Sequence, residues 1–210
     1  WFLNRMLGQV GRFLALTSSH INATDALYCG LGTHFLANEQ KADFLADLTA
    51  QAWSSNTTAN HELVGAVLAD SVAGVEQPDA QIEPHIDTIN EWMAGDDLAV
   101  IHTRVMSWQG EDSWLGRARE GFAHGSPLAA SWIFRQLNQT REATLEAIFE
   151  SELILGCNIM RHPEFAEGVR ALLVDKDRSP AWAYPDLASV PADVVDSFFI
   201  APAAMPELGL

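Results

Sequence analysis

The chain has 210 residues, 48% hydrophobic and 19% charged, which is enough apolar material for one domain with a sizeable core and too much for a disordered polymer. Its 12 basic residues against 28 acidic ones leave a formal net charge of −16, which excludes the basic stripe that a nucleic-acid partner needs. No run approaches the roughly 18 apolar residues of a membrane span, so no membrane partner is expected.

Phe2, Leu3, Met6, Leu7, Val10, Phe13 and Leu14 keep helical spacing from the first residues, across a segment 2–16 that should break near Gly8 and Gly11. A natural amino terminus rarely opens inside an apolar helix, so Trp1 reads as a cut made within a larger protein. A second helix is predicted over 24–28, with Asn22 or Thr24 as N-cap and Gly30 as C-cap. Thr33, His34, Phe35 and Leu36 form the one candidate strand. Asn38 then opens a third helix carrying Phe44, Leu45, Leu48 and Trp53.

Residues 54–60 and 74–80 are polar or proline-bearing and read as linkers, with the main boundary between them. Beyond it the pattern is almost wholly helical. Ile82, Ile86, Ile89 and Met93 share one face, as do Leu98, Ile101, Val105 and Trp108. Ser126-Pro127 is a strong helix start, and Leu128, Trp132, Ile133 and Leu137 continue it. Thr140 can cap the next helix, with Leu145, Ile148, Phe149 and Ile154 as its apolar stripe. In the block 163–182, Phe165, Val169, Leu172 and Leu173 make a helical face, Asp175, Lys176, Asp177 and Arg178 follow, and Pro180 stops the helix. One further helix should run through Phe198 and Phe199 before a loose tail.

These blocks together resemble 3-hydroxyisobutyryl-CoA hydrolases, a branch of the enoyl-CoA hydratase/isomerase (crotonase) superfamily. The block 163–182 is similar to the carboxy-terminal signature of that branch. Leu14-Ala15-Leu16-Thr17 and Ala23-Thr24-Asp25-Ala26, running on to Gly30-Leu31-Gly32-Thr33-His34-Phe35, resemble the segment after the family's catalytic helix, with Ser18 and Gly32 replacing a usual glycine and alanine. Ser126-Pro127-Leu128, Arg135-Gln136-Leu137 and Glu152 resemble the hydrolase branch. The resemblance covers about 2–36 and 82–199, and residues 54–80 match no known block.

The resemblance implies a mainly α fold, the helical carboxy-terminal part of a crotonase fold with at most one or two short strands. Residues 1–53 would end the crotonase core, 54–81 would be a linker and variable region, 82–199 a helical region and 200–210 a loose tail. It implies an acyl-CoA substrate, with coenzyme A as part of the substrate and no covalently bound cofactor. The reaction would be thioester hydrolysis in valine breakdown, and a hydratase or isomerase of the same superfamily is the enzymatic alternative. A non-catalytic helical interaction module is the alternative of another class. Partners would be the missing amino-terminal part of the same protein or further copies in a homo-oligomer. A bacterial cytoplasm and a mitochondrial matrix both fit.

In the family, backbone N–H groups of glycine-rich loops cradle the carbonyl oxygen, and the acids lie just before the residues that resemble Trp1-Phe2-Leu3. Gly8, Gly11, Gly30 and Gly32 are isolated, so no residue of 1–210 is assigned to catalysis. Lys176 and Arg178 are the candidate coenzyme-binding residues, because related crotonases bring a basic residue from the end of this helix to the nucleotide. The same cations could instead pair with Asp175, Asp177 or the helix end. Arg170 could be a structural ion-pair partner.

The acid pairs Glu150/Glu152, Glu164/Glu167, Asp175/Asp177 and Asp193/Asp196 fit a solvated surface, since Asp and Glu are mostly exposed. Seven histidines lack metal-ligand spacing, His34 reads as a satisfied core or edge residue, and no metal site is expected. Cys29 and Cys157 read as ordinary buried thiols. The Asn-x-Thr sequences at Asn22, Asn56 and Asn138 read as chance matches.

Overall fold

Capping side chains mark where most helices begin. A computed structural model describes all residues except Ala73 and residues 204–210, and among the described residues there is no strand. The chain divides into two compact units, one made of Trp1–His20 with the described residues from Ile86 onward, the other of Ile21–His85.

In the first unit a short 3-10 turn, Leu3–Arg5, leads to helix α1, Val10–Thr17. Gly8 takes a left-handed φ of 56° in the link between this turn and α1, the break its position suggested. Gly11 does not break anything. It lies inside α1, where a Cβ would sit 1.8 Å from the carbonyl oxygen of Leu3, so glycine is what lets the turn fold onto the helix. Phe13 is fully buried, with its ring centroid 5.3 Å from that of Trp114 and 6.3 Å from that of Trp92. This apolar face joins the amino-terminal segment to the later helices.

The second unit contains α2, Ala23–Tyr28, α3, Lys41–Thr49, and α4, Thr57–Val72. Asn22 caps α2 in a reciprocal box with Asp25, and Gly30 follows at φ 72°, as expected for a helix end. Asp25 is fully buried, and its Oδ1 accepts the N–H groups of Gln81 (2.7 Å) and Ile82 (2.8 Å). Residues 33–36 are irregular rather than a strand, because a strand needs a ladder partner and no described residue offers one. His34 is exposed, not a core residue, and touches the Thr33 hydroxyl at 2.9 Å. The polar stretch 54–60 is not a linker throughout. Asn56 accepts the N–H of Ala59 and starts α4, so polar residues here signal a helix cap. Trp53 lies beyond α3 and its indole donates back to the Leu48 carbonyl (3.1 Å).

The first unit continues with α5, Ile86–Trp92, α6, Leu98–Met106, α7, Ser113–His124, and α8, Pro127–Gln139. Asp97, Asp112 and Ser126 cap the last three through their side-chain oxygens. Helix α9, Leu145–Arg161, is capped by Thr144 rather than Thr140, whose hydroxyl instead donates to the Gln136 carbonyl at the end of α8. His162 ends α9 and caps α10, Pro163–Val169. The tail helix α11, Ala192–Ser197, brings Phe198 into a cluster with Leu128 and Leu155. Asn158 fastens it by donating to the carbonyls of Phe198 and Ile200, both at 2.9 Å. The loose tail expected from 200 falls largely at 204–210, outside the described residues.

Candidate functional site

The block 163–182 does not continue as one α-helix. After α10 the chain widens into a π-helical turn, Arg170–Val174, closed by the Asp175 N–H on the Arg170 carbonyl (2.8 Å). Across the widened turn Phe165, Val169, Leu172 and Leu173 still line one wall, the face that the spacing predicted. Ala171 is buried, whereas Leu172, Leu173 and Val174 are 61, 62 and 69% exposed. That wall bounds an apolar cavity of about 610 Å³. Leu128 and Trp132 of α8 and Phe198 also line it.

The cavity's rim is tied by hydrogen bonds between distant residues. Ser126 Oγ donates to Glu164 Oε2 (2.5 Å), and Glu164 Oε1 accepts the N–H of Ala183 (2.9 Å). Trp182 donates from its indole to the His124 carbonyl (2.9 Å), which draws the 180–183 segment over the start of α8. A Cβ on Gly168 would lie 3.3 Å from this indole, so the glycine makes room for the ring. Nothing in the local sequence announces these contacts, which join residues 38 and 58 positions apart.

Arg170 organises the charged turn. Its Nε and one Nη grip both oxygens of Glu167 at 2.9 and 2.7 Å, its other Nη reaches Asp175 (2.7 Å) and Asp177 (2.6 Å), and a fifth bond goes to the Ser179 carbonyl (3.2 Å). A guanidinium has five N–H donors, so all are used. Hydrogen bonds from Arg170, then from the Ala181 N–H, pull the Glu167 carboxyl down to about 2, and Arg170 and the Ser179 N–H likewise lower Asp177. The same carboxylates raise Arg170 further above its ordinary value. The family resemblance offers Arg170 as a structural ion-pair partner, and its i, i+3 spacing from Glu167 is a further local signal.

Lys176 and Arg178 both take left-handed backbone, at φ 57° and 54°. Such angles are costly for non-glycine residues and persist only where surroundings impose them. The Arg178 N–H anchors to the Ala171 carbonyl (3.0 Å), and Arg178 lines the cavity while Lys176 does not. Among the described residues neither cation forms an ion pair. The two acids that could have neutralised them are held by Arg170.

Of the other acid pairs, Glu164 and Glu167 are half-buried and structural rather than solvated, Asp196 pairs with Arg135, and Glu150, Glu152 and Asp193 are exposed. Cys29 is buried and its thiol is pushed up, first by burial and then by the Asp25 charge, which opposes nucleophilic chemistry. Cys157 is a free, half-buried thiol. Among the described residues no group of three His, Cys, Asp or Glu is disposed to hold a metal ion, and no helix is long and apolar enough to cross a membrane.

Two solved structures share this fold. An enoyl-CoA hydratase from Rhodobacter sphaeroides superposes with a TM-score of 0.73 at 24% identity, over 95% of this chain and 54% of that one. A carnitinyl-CoA dehydratase from Mycobacterium thermoresistibile gives a TM-score of 0.78 at 23% identity, over 97% of this chain and 55% of its own. At those identities the likeness defines the fold, the helical part of a crotonase. The enoyl-CoA hydratase/isomerase family model matches residues 1–199, and the chain belongs to that family. It is 30% identical over 202 residues to the human mitochondrial 3-hydroxyisobutyryl-CoA hydrolase, covering 95% of this chain and 50% of that protein. It is also 27% identical over 216 residues to the small ribosomal subunit protein mS47 of Arabidopsis thaliana, covering 95% and 49%. The chain spans about half the length of the curated relatives it matches.

Proposed function

We propose that this chain forms the carboxy-terminal part of a coenzyme A thioester hydrolase of the 3-hydroxyisobutyryl-CoA type, acting in valine breakdown. The observation that carries this reading is the similarity to the human hydrolase across nearly the whole chain. Hydrolysis adds water to the thioester carbonyl and expels coenzyme A as its thiol. It needs donors aimed at the developing oxyanion and a base for the water, and the donors alone contribute about 3 kcal/mol each. Among the described residues Glu164 is the one carboxylate lining the cavity, and Ser126 and Ala183 occupy its oxygens. The reacting groups are therefore assigned to polypeptide outside residues 1–210. This chain would contribute the cover of the acyl-CoA cleft, with Lys176 and Arg178 toward the nucleotide phosphates.

The named location of the relatives favours the mitochondrial matrix. The test is thiol release from 3-hydroxyisobutyryl-CoA. The full-length gene product should turn over and residues 1–210 alone should not. Robust activity of the isolated chain that a point mutation within it abolishes would overturn the assignment. The similarity to mS47 supports a second, non-catalytic reading as an interaction module. Its mark would be a stoichiometric complex that forms with no preference for acyl-CoA.

A further inference from the structure

We propose that Arg170 is a positioning residue for anion recognition, which works by withdrawing Asp175 and Asp177 from Lys176 and Arg178. The inference rests on the assignment of those two cations to the nucleotide end of coenzyme A. In sequence, the turn alternates acid and base, Asp-Lys-Asp-Arg, so by itself it would neutralise its own cations. In the structure, both carboxylates turn to one Arg170 Nη at 2.7 and 2.6 Å. Asp177 Oδ1 also accepts the Ser179 N–H (2.8 Å), which folds the turn back on itself. The bidentate grip on Glu167 anchors Arg170 to α10, and Glu167 also accepts the Ala181 N–H (2.7 Å). Two cations are thereby left unpaired on left-handed positions either side of Asp177, one of them on the cavity wall. A phosphate is the ligand that two such cations suit. Lysine could not replace this arginine, because three rotating donors cannot reproduce a planar fork.

The experiment measures binding of coenzyme A and of pantetheine, which lacks the nucleotide, to the full-length protein by calorimetry at several salt concentrations. K176Q/R178Q should weaken coenzyme A by about tenfold, the size of a charge-assisted contact, and leave pantetheine unchanged. R170Q should give the same selective loss and flatten the salt dependence, because the released acids now neutralise the cations. Adding D175N and D177N to R170Q should restore both, since an amide keeps the turn's acceptor oxygen without the charge. That rescue is something a purely structural arginine would not show. If K176Q/R178Q costs nothing, the nucleotide assignment itself fails. If K176Q/R178Q weakens binding but R170Q does not, or a folded triple variant regains nothing, the role given to Arg170 fails while the assignment stands. Should R170Q not fold, D175N/D177N alone decides: coenzyme A affinity should hold within about threefold, and a tenfold loss would refute the proposal.

Discussion

Replacing Arg12 by methionine should unfold this chain more readily than any change at its surface ion pairs. Arg12 leaves α1 and its side chain is only 7% exposed. Its Nη1 donates to the carbonyls of Met93 (2.7 Å) and Gly95 (2.6 Å), just past the end of α5, and its Nη2 donates to Asn138 Oδ1 of α8 (2.8 Å). The guanidinium also lies over the Phe134 ring at 5.1 Å. Burial, then the nearby Arg141 charge, lowers its pKa, and Asp96 opposes them. Asp96 sits 3.6 Å away but is 78% exposed, and such a pair contributes about 0–1 kcal/mol. The carbonyls therefore dominate. Methionine keeps the stem's volume and strands three acceptors, which at about 1–3 kcal/mol for a buried one and less for half-buried ones sums to roughly 3–5 kcal/mol. At 2–4 °C per kcal/mol for a chain of this size, the midpoint should fall by roughly 10 °C. Urea and thermal unfolding followed by circular dichroism, with unchanged urea slope, would measure it. The reasoning fails if R12M stays within about 1 kcal/mol of the parent, or if D96N costs as much as R12M.

Three further outcomes are expected. G11A should cost about 2 kcal/mol or more and G121A a similar amount, because the added Cβ would lie 1.8 Å from the Leu3 oxygen and 2.3 Å from the Thr17 oxygen; G30A, with open space but a left-handed φ, should cost only about 1 kcal/mol by denaturation. D25A should destabilise the Ile21–His85 unit by about 2–4 kcal/mol, since the Gln81 and Ile82 N–H groups lose their acceptor, and hydrogen exchange should accelerate at those two amides first. Glu167 has a folded pKa of about 2, below the ordinary 4.5, so its contribution is present above about pH 4.5 and is lost as pH falls toward 2; E167Q should remove that portion of the acid sensitivity, and an unchanged acid-unfolding curve would count against the Arg170 cluster.

Local chemistry was readable where it depends on neighbours in sequence. Ser126-Pro127 started α8 as expected, Asn22 capped α2, Gly30 ended it, and the order of the blocks pointed to the crotonase family that the comparison found. The misreadings have local causes too. Asn56 capped a helix that takes up the second half of the stretch 54–60, and residues 33–36 had strand-like composition but no described partner to pair with.

By itself the sequence determined an acidic, helical chain with a charged turn at 175–178, because periodicity, capping and charge are properties of residues a few positions apart. Tertiary structure alone decided which charges pair and which apolar residues remain uncovered. Arg170 could have been one cation among 12, yet the π-turn brings Glu167, Asp175, Asp177 and Ser179 within reach of one guanidinium. Spacing put Phe165, Val169, Leu172 and Leu173 on one face, but only the packing of residues far apart in sequence decided that this face lines a cavity instead of being covered.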